Sequence, residues 1–542
     1  MNWTTNRRGV IGMGGAAALG AGALVSGCGG RVIGLDVERR ILDIGNQAEP
    51  LSLDPHKASG QWENRIIGEM FIGLTTEDAQ GQPIPGMAES WTVSEDGLVW
   101  TFQLRQADWS DGMPCTAYDF EFAFRRILSP DTIAEYAQVT YAILNAQNVK
   151  EGKAPVTDVG VRALDERTLE MRLEHPAPYL PGLLKHYTHF PIPKHVVERV
   201  GDDWIKPANI QVNGPFRLEK WWSNYVVHLV KNPAFFDARN VVFNDLYFYP
   251  TNNDDAASRR VMNGELGWST SFPGKKQAFY EKALPGFVKV APYMLLQYFS
   301  LNTTRPPFND KRVRRAMTLA LDRTFLAEKI WQAGYKPAWS FVPPGMYGYP
   351  QGGRLDFADT PLEARRAEAR ALLEAAGYGP DNPLKFTFSH RNTQDNPQVA
   401  VVAQADWRAV APWVEVTLAG VEGQIHYANM RAKNFDCGDG GWIADYNDAY
   451  TYLYLLETRT GPQNYSGYSN PEYDRLMEAS TQERDAVVRA GLMRDAEQIM
   501  LDDSPVIPVG FGASRNLVDP RIVGFEDNLE DIHRTRWMSL KA

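Results

Sequence analysis

The sequence has little cysteine: Cys28, Cys115 and Cys437 are the only three in a chain of 542 residues. So few cysteines cannot form a disulfide scaffold, and no Cys-x-x-Cys pair or Cys/His spacing joins them into a metal site. Cys115 and Cys437 lie far apart in the sequence and share no spacing signature. We therefore expect two separate thiols that pack in the core, with a disulfide between them as the alternative.

The chain also lacks an excess of positive charge. Its 56 Lys and Arg stand against 66 Asp and Glu, which gives a formal net charge of −10. Proteins that bind phosphate backbones need the opposite sign, so the composition argues against nucleic-acid binding.

The sequence signatures of common enzymes are missing as well. There is no Gly-x-Ser-x-Gly, no Walker loop, no His-Glu-x-x-His and no Gly-x-Gly-x-x-Gly. We therefore expect a protein that is not an enzyme and has no catalytic residues, with a secreted hydrolase as a minority alternative.

The nine histidines are scattered, and only His186, His189 and His195 lie close together, in the run HYTHFPIPKH. A metal needs converging ligands, and the prolines in this run break helical spacing. We expect packing or surface histidines here, and no metal or cofactor.

No uninterrupted apolar run reaches the ~20 residues that a membrane-spanning helix needs. The amino terminus instead has Arg7 and Arg8, a weakly apolar stretch over residues 10–25, and then Ser26-Gly27-Cys28. This layout resembles a bacterial lipoprotein signal with a twin-arginine export pattern. We predict an export signal over residues 1–27 and lipid attachment at Cys28, which would leave a membrane-anchored body on the periplasmic or cell-surface side. A plain secretory signal with a chance cysteine is the alternative.

Strand and helix patterns are mixed along the chain. Residues 99–104 and 169–173 alternate apolar and polar side chains, which predicts half-buried strands. Helices are predicted from a capping box at Thr360 to a stop at Gly377, and from residue 309 or 310 to about Ala333. The class is therefore α/β or α+β.

The most unusual stretch runs from Asp436 to Asp448. It carries four acids, no base, glycines near its start, and aromatic residues on either side of Asp445. Glycine lets a backbone come close to another group, and an acid beside Trp and Tyr can be partly desolvated, where a cation is its best partner. A solvated acidic loop explains the same composition, so the residues alone leave both interpretations open.

Six segments, spread in order over nearly all of the chain after the signal, carry a family likeness. They are SLDPHKASG (52–60), GMAESWTVSEDGLVWTFQLRQADWSDGMPCTAYDF (86–120), VNGPFRLEKWW (212–222), PPFNDKRVRRAMTLALDR (306–323), GWIADYND (441–448) and SPVIPV (504–509). These segments resemble the peptide/nickel family (family 5) of extracytoplasmic solute-binding proteins of ABC transporters. The likeness is closest to the periplasmic oligopeptide-binding branch.

The resemblance implies a two-lobed α/β flytrap of three domains that closes on its ligand by hinge motion. Domain I would comprise residues 32–71, 196–294 and 513–542, domain II residues 72–195, and domain III residues 295–512. The implied partners are a peptide or other amine-bearing small ligand, an ABC permease and its ATPase subunits. We expect a monomer that binds an extended peptide through groups that all peptides share.

The resemblance also implies the site residues. Asp445 stands where the family's aspartate meets a peptide α-ammonium, a charge-assisted contact. Gly441 and Trp442 correspond to cleft residues, the first through its backbone, and Tyr136 and Tyr293 correspond to cleft-facing tyrosines.

Several family features are absent from this sequence. Asp439 replaces an arginine, Trp331 replaces a lysine, and Pro397 lies near the position of a cleft histidine; each of the three replaced side chains can meet a peptide carboxylate in the family. The family's one disulfide is also lost, because its cysteines align with Leu295 and Ile443.

Two hypotheses about the ligand follow from these replacements. A peptide carboxylate would be met by another base such as Arg431, or the site would prefer a ligand that is cationic or lacks a carboxylate. In a strictly extended segment Asp439 and Asp445, six residues apart, would share one face and favour positive ligands.

The resulting hypothesis is a lipid-anchored protein that captures a peptide or a peptide-like amine and delivers it to an ABC importer. The alternatives are a ligand-sensing or chaperone-like lipoprotein on the same fold, and a nickel- or haem-type binder of the same family.

Overall fold

The computed structural model describes residues 34–134, 136–392 and 395–541, so the predicted export signal and Cys28 lie outside the described residues. The described residues belong to one of two units into which the chain divides, the unit of residues 33–542. Within the described part of the chain, no helix combines the length and the apolar character needed to cross a membrane.

The strands range from two residues to the 14 residues of β13. They are β1 (Leu35–Asp36), β2 (Ile41–Gly45), β3 (Thr75–Glu77), β4 (Pro83–Pro85), β5 (Ala88–Val93), β6 (Val99–Leu104), β7 (Val161–Ala163), β8 (Thr168–Arg172), β9 (Phe216–Trp222), β10 (Val226–Lys231), β11 (Asp245–Tyr249), β12 (Trp268–Ser269), β13 (Val288–Leu301), β14 (Lys336–Pro337), β15 (Leu384–Arg391), β16 (Val414–Val421), β17 (Cys437–Ile443), β18 (Val506–Val518), β19 (Ile522–Val523) and β20 (Ser539–Leu540).

The α-helices lie between these strands. They are α1 (Gln61–Met70), α2 (Ala117–Leu128), α3 (Ala146–Lys150), α4 (Leu180–Leu183), α5 (Lys194–Val200), α6 (Asp254–Met262), α7 (Gln277–Ala283), α8 (Lys311–Ala320), α9 (Arg323–Phe325), α10 (Leu362–Ala375), α11 (Asn396–Arg408), α12 (Gly423–Arg431), α13 (Tyr450–Leu453), α14 (Pro471–Gln482) and α15 (Ala486–Asp503). The mixed α/β class predicted from the sequence is confirmed.

One large sheet joins distant parts of the chain, in the order β16-β15-β17-β13-β18-β12-β2-β11-β10-β9, with β1 added to β2 and β14 to β18. A separate antiparallel sheet of four strands has the order β5-β6-β8-β7. The early strand β2 pairs in parallel with both β11 and β12, so residues near 41–45 lie beside residues far along the chain. This pairing is compatible with a discontinuous first domain, whose boundaries stay a prediction.

The two strands predicted from alternating side chains are confirmed. β6 covers residues 99–104, and its side chains at Trp100, Phe102 and Leu104 are buried. β8 covers residues 168–172 and pairs with β6 in an antiparallel register that sets Leu169 opposite Phe102. The predicted helix before Gly377 is confirmed as α10, but the predicted capping box at Thr360 is wrong, because the N-cap residue is Pro361, the helix begins at Leu362 and no side chain caps it. Gly377 follows it at φ 93°, a conformation that favours glycine.

The predicted helix from residue 309 or 310 to about Ala333 is wrong in its continuity: residues 311–320 and 323–331 are helical, the last six as a π-helix, but a break at Leu321 and Asp322 separates the two parts. α8 begins after Asp310, whose carboxylate accepts a hydrogen bond from the backbone N–H of Arg312 (2.8 Å), but the helix ends at Ala320. Leu321 is extended because the next residue, Asp322, caps a new helical turn through the backbone N–H of Phe325 (3.0 Å). An N-cap residue has non-helical backbone angles, so the second cap interrupts the helix.

The predictions for the cysteines agree with the structure. Cys115 and Cys437 are both free thiols, and both are buried. Burial raises the pKa of each thiol, so neither is a reactive thiolate. Leu295 and Ile443, which align with the family's disulfide, face each other as partners in the β13–β17 pairing.

The strand β13 is the element that positions the site. It pairs antiparallel with β17 along residues 295–301 and with β18 along residues 288–300. The β18 pairing shifts register between Pro292 and Leu296, which leaves Tyr293, Met294 and Leu295 out of the ladder. Bulges of this kind re-aim side chains, and these three residues all line a cavity.

Candidate functional site

A cavity of about 640 Å³ lies against the β13 bulge. Its walls come from each of the three regions that the domain prediction separates. They include the segment after β2 and the start of α1, Gly182 and residues 185–187, the bulge of β13, residues 443–446 at and beyond the end of β17, residues 513–515 of β18, and residues 530–532. The volume falls within the range of small-molecule sites in proteins, about 300–1,000 Å³.

The glycine-rich strand β17 brings Asp445 to this cavity. A Cβ atom on Gly438 would lie 2.3 Å from Met430 Sδ, and one on Gly440 would lie 3.1 Å from the Tyr298 ring. These glycines therefore allow close packing inside the protein rather than the approach of a ligand. The strand ends at Ile443, so Asp445 lies in the bend beyond it.

Asp445 lines the cavity as a carboxylate without a cation beside it. Its Oδ1 accepts a hydrogen bond from the Tyr136 hydroxyl, and its backbone N–H donates to Thr451 Oγ1 (3.4 Å). Burial raises the pKa of the Asp445 carboxyl to about 6, and the Tyr136 hydrogen bond only partly offsets this rise. Among the described residues, no Lys, Arg or His forms an ion pair with it. A buried charge of this kind favours a cationic partner.

Both tyrosines predicted from the resemblance also line the cavity. Tyr136 contacts Asp445 directly, and burial followed by the Asp445 charge raises the pKa of its phenol. Tyr293 lies in the β13 bulge, where its hydroxyl accepts a hydrogen bond from Gln61 Nε2 (2.5 Å). Each hydroxyl is therefore held in place by a partner from another part of the chain.

Gly441 and Trp442 lie on β17 just before the cavity and are not among the residues that line it. Both are half-buried. The Trp442 indole N–H donates to Thr451 Oγ1 (3.3 Å), and this hydroxyl also accepts from the Asp445 backbone. Trp442 thus supports the backbone of Asp445 through a shared partner.

Asp439 is buried on β17 and, unlike Asp445, is not among the residues that line the cavity. Its carboxylate accepts hydrogen bonds from the backbone N–H and the Nε of Arg391, each at 2.8 Å, and lies 3.1 Å from His426 Nε2. The prediction of a shared face required an extended segment from 439 to 445, and the strand stops at Ile443. Asp439 is therefore committed to Arg391, which lines the cavity.

Most other charged groups around the cavity are paired within the protein. Lys185 Nζ lies 2.5 Å from Glu530, and Arg65 lies 3.2 Å from Asp531. Glu77 forms an ion pair with Arg534, and the nearby cations lower the pKa of its carboxyl to about 2 despite its burial. These pairs tie the carboxyl-terminal segment to α1, to β3 and to the segment after α4.

The sequence did not identify two cations of the cavity wall, Arg391 and Arg515, as site residues. Arg515 is the only charged residue in β18, VIPVGFGASRNLV, and a lone arginine in an apolar strand is a signal that could have drawn attention to it. Arg431, the base suggested from the sequence, is exposed on α12 and does not line the cavity.

The histidine run does not converge on a common point. His186 lines the cavity and His189 is buried, while His195 pairs with Asp111 (2.8 Å). Burial lowers the pKa of His189 to about 4, so it is neutral. The described residues contain no group of three or more His, Cys, Asp or Glu side chains arranged to hold a metal ion.

Comparison with known proteins shows which family the chain belongs to. Residues 82–464 match the model of the bacterial extracellular solute-binding proteins, family 5. The chain belongs to this family. The resemblance predicted from the six sequence segments is thereby confirmed.

Relatives within family 5 resemble the chain over most of its length. It is 34% identical to the periplasmic oligopeptide-binding protein OppA of Salmonella typhimurium, over 92% of both chains. It is also 34% identical to YgiS of Escherichia coli, named as a probable deoxycholate-binding periplasmic protein, over 93% of this chain and 94% of that one. Among solved structures, Haemophilus influenzae OppA in complex with the peptide RPPGFSPFR matches with a TM-score of 0.77 and 33% identity, over 93% of this chain and 99% of that one. Since relatives of equal identity are named for different ligands, the ligand must be inferred from the site itself.

The Arg391–Asp439 pair provides a test of the role of Asp439. We expect a double-mutant cycle of Arg391→Ala and Asp439→Ala to give a coupling of about 1.5–3 kcal/mol in the free energy of unfolding, because the pair is charged and largely removed from water. The exposed pair Arg475–Glu472 is the matched control, with an expected coupling of about 0.2–1 kcal/mol. Denaturant unfolding of the single and double variants measures both. A coupling near zero for Arg391–Asp439 would show that Asp439 is free to serve a ligand.

Proposed function

We propose that this protein captures a peptide, or a peptide-like ligand with a free amino group, and delivers it to an ABC importer. The observation that carries the proposal is Asp445, a carboxylate in the wall of a ligand-sized cavity with a hydroxyl partner but no cation. A ligand ammonium supplies the missing charge through a charge-assisted hydrogen bond. Membership of the solute-binding family supports binding and transport as the activity.

The relatives support a peptide as the ligand. Several are named as oligopeptide-binding proteins, and one of the matching structures contains a bound peptide of nine residues. A peptide offers an α-ammonium for Asp445 and a backbone that can pair with protein strands. Such binding needs no covalent chemistry, so we propose a transport component that is not an enzyme.

The proposal extends to the surroundings of the protein. Homologues are periplasmic proteins, which supports an extracytoplasmic location. We propose a monomer with three domains that closes around the ligand and is recognised in that form by the permease, and a lipid anchor at Cys28 that keeps it near the membrane.

The amine anchor is tested with trialanine and its N-acetylated form. We expect Asp445→Asn to weaken binding of trialanine on the order of a hundredfold, because it removes the charged partner of a desolvated ammonium. Acetyl-trialanine should bind weakly to both proteins, since it has no ammonium. Isothermal titration calorimetry measures each affinity.

The exposed acid Asp527 provides the matched control for this experiment, and Asp527→Asn should bind trialanine like the unaltered protein. Equal affinity of Asp445→Asn and the unaltered protein for trialanine would rule out Asp445 as the anchor.

The raised pKa of Asp445 predicts how binding depends on pH. Below about pH 6 the empty site holds a proton on Asp445, and an arriving ammonium must displace it. The affinity for trialanine should therefore fall about tenfold between pH 7 and pH 5, while the peptide's own ammonium and carboxylate stay charged. The nearby groups Tyr136, Tyr187 and His186 stay neutral in this window, because burial raises the pKa of both phenols and lowers that of the imidazole.

The same titration on Asp445→Asn separates this effect from others. Without an ionisable group at position 445, its affinity should change little between pH 7 and pH 5. A tenfold fall that persists in this variant would assign the pH dependence to another residue.

The lipid anchor is tested by Cys28→Ser in the full chain expressed in a bacterium. A serine hydroxyl cannot form the thioether, so the variant should lose its incorporation of labelled fatty acid and leave the membrane fraction. Cys115→Ser is the control and should remain in the membrane fraction, because its thiol is buried. A Cys28→Ser protein that still carries labelled fatty acid would contradict the anchor.

A further inference from the structure

The charges that line the cavity do not all cancel within the protein. Lys185 is paired with Glu530 and Arg391 with Asp439, while Glu77 and Asp531 have arginine partners. Two lining groups remain, the carboxylate of Asp445 and the guanidinium of Arg515. Among the described residues, no carboxylate forms an ion pair with Arg515, and no cation forms one with Asp445. The cavity therefore presents one unpaired charge of each sign.

The Arg515 guanidinium packs against protein backbone in the cavity wall. A Cβ atom on Gly274 would lie 2.4 Å from Arg515 Nη1, so the guanidinium packs on the bare backbone of this glycine. The Arg515 charge also acts on Tyr335, another lining residue, where it partly offsets the rise in phenol pKa that burial causes. A guanidinium presents several N–H donors in a plane that matches a carboxylate.

The other two lining cations are less suited to a ligand anion. Lys185 Nζ lies 2.5 Å from Glu530 and donates to the Gly81 carbonyl (2.7 Å), and Lys185 is buried. Arg391 is bound through Nε and Nη2 to Asp439 and lies over the Tyr427 ring at 5.6 Å. An anion at either side chain would compete with an existing carboxylate, whereas an anion at Arg515 would not.

The sheet places the two unpaired charges on opposite sides of β13. Asp445 lies two residues past Ile443, which pairs with Leu295 at one edge of the strand. Arg515 pairs with Val290 at the other edge. Two inter-strand spacings amount to about 10 Å across the sheet. The paired positions Leu295 and Val290 are also five residues apart along β13, which adds an offset of up to about 17 Å along the strand. An extended chain advances about 3.3–3.6 Å per residue, so a peptide of a few residues can reach from one charge to the other.

We propose that Arg515 binds the carboxylate of the ligand whose ammonium is held by Asp445, so that the site selects short peptides with both termini free. This inference rests on the proposed function and adds the substrate class. It chooses between the two ligand hypotheses from the sequence, since it requires a carboxylate on the ligand and meets it with a base other than Arg431.

The experiment compares alanine peptides of two to five residues with their carboxyl-terminal amides, which keep the ammonium and lose the anion. The proteins are the unaltered chain, Arg515→Gln, Arg515→Lys and the control Arg431→Gln, which changes an exposed arginine outside the cavity. Calorimetry gives each affinity, and thermal unfolding without ligand verifies that each variant is folded.

The unaltered protein and Arg431→Gln should prefer the free acid to the amide by about 10- to 100-fold for at least one peptide length. Arg515→Gln should lose most of this preference, because its affinity for the free acids falls while its affinity for the amides stays unchanged. Arg515→Lys, which keeps a positive charge, should retain part of the preference. An acid preference that survives in Arg515→Gln, or that is absent from the unaltered protein, would overturn the assignment of Arg515. Failure of every peptide, acid and amide alike, would instead overturn the proposed function.

Discussion

The strand β13 is the constraint on which the rest of the structure depends. Its 14 residues pair with β17 on one side and with β18 on the other; β18 carries Arg515, and Asp445 lies two residues beyond the end of β17. The register shift at Pro292–Leu296 frees Tyr293, Met294 and Leu295 from the β18 ladder, and all three residues line the cavity. The same strand therefore fixes the positions of the two charges and forms the wall between them.

The electrostatics of the cavity follow from pairing. Ion pairs such as Lys185–Glu530 and Arg534–Glu77 satisfy buried charges that would otherwise be costly, and they join the carboxyl-terminal segment to early parts of the chain. Asp445 has no such partner, and burial accordingly raises its pKa to about 6. An isolated carboxylate destabilises the empty site and is stabilised when a ligand ammonium arrives, so part of the binding free energy comes from a charge that the fold leaves unpaired.

Local patterns in the sequence predicted local structure well. The alternation of residues 99–104 predicted β6, and the apolar spacing before Gly377 predicted α10. The helix predicted up to about Ala333 is interrupted because Asp322 acts as a second N-cap, an effect that apolar periodicity does not show. The direct pairing of Leu295 with Ile443 followed from the family resemblance, which carries information about distant contacts that periodicity lacks.

The candidate site was predicted only in part, for a physical reason. Asp445, Tyr136 and Tyr293 were identified by resemblance, and all three line the cavity. The state of Asp439 depends on Arg391, 48 residues away, and no local pattern connects the two. Arg515 differs from the other lining cations because no carboxylate forms an ion pair with it among the described residues. That difference can be recognised only when the positions of all neighbouring charges are known.

The most direct test of the account is a crystal structure of the protein with bound trialanine. The account predicts the peptide ammonium within about 2.7–3.2 Å of an Asp445 carboxylate oxygen, and the peptide carboxylate at hydrogen-bonding distance from the Arg515 guanidinium. A peptide bound in the reverse direction, or one whose ammonium lies away from Asp445, would contradict it.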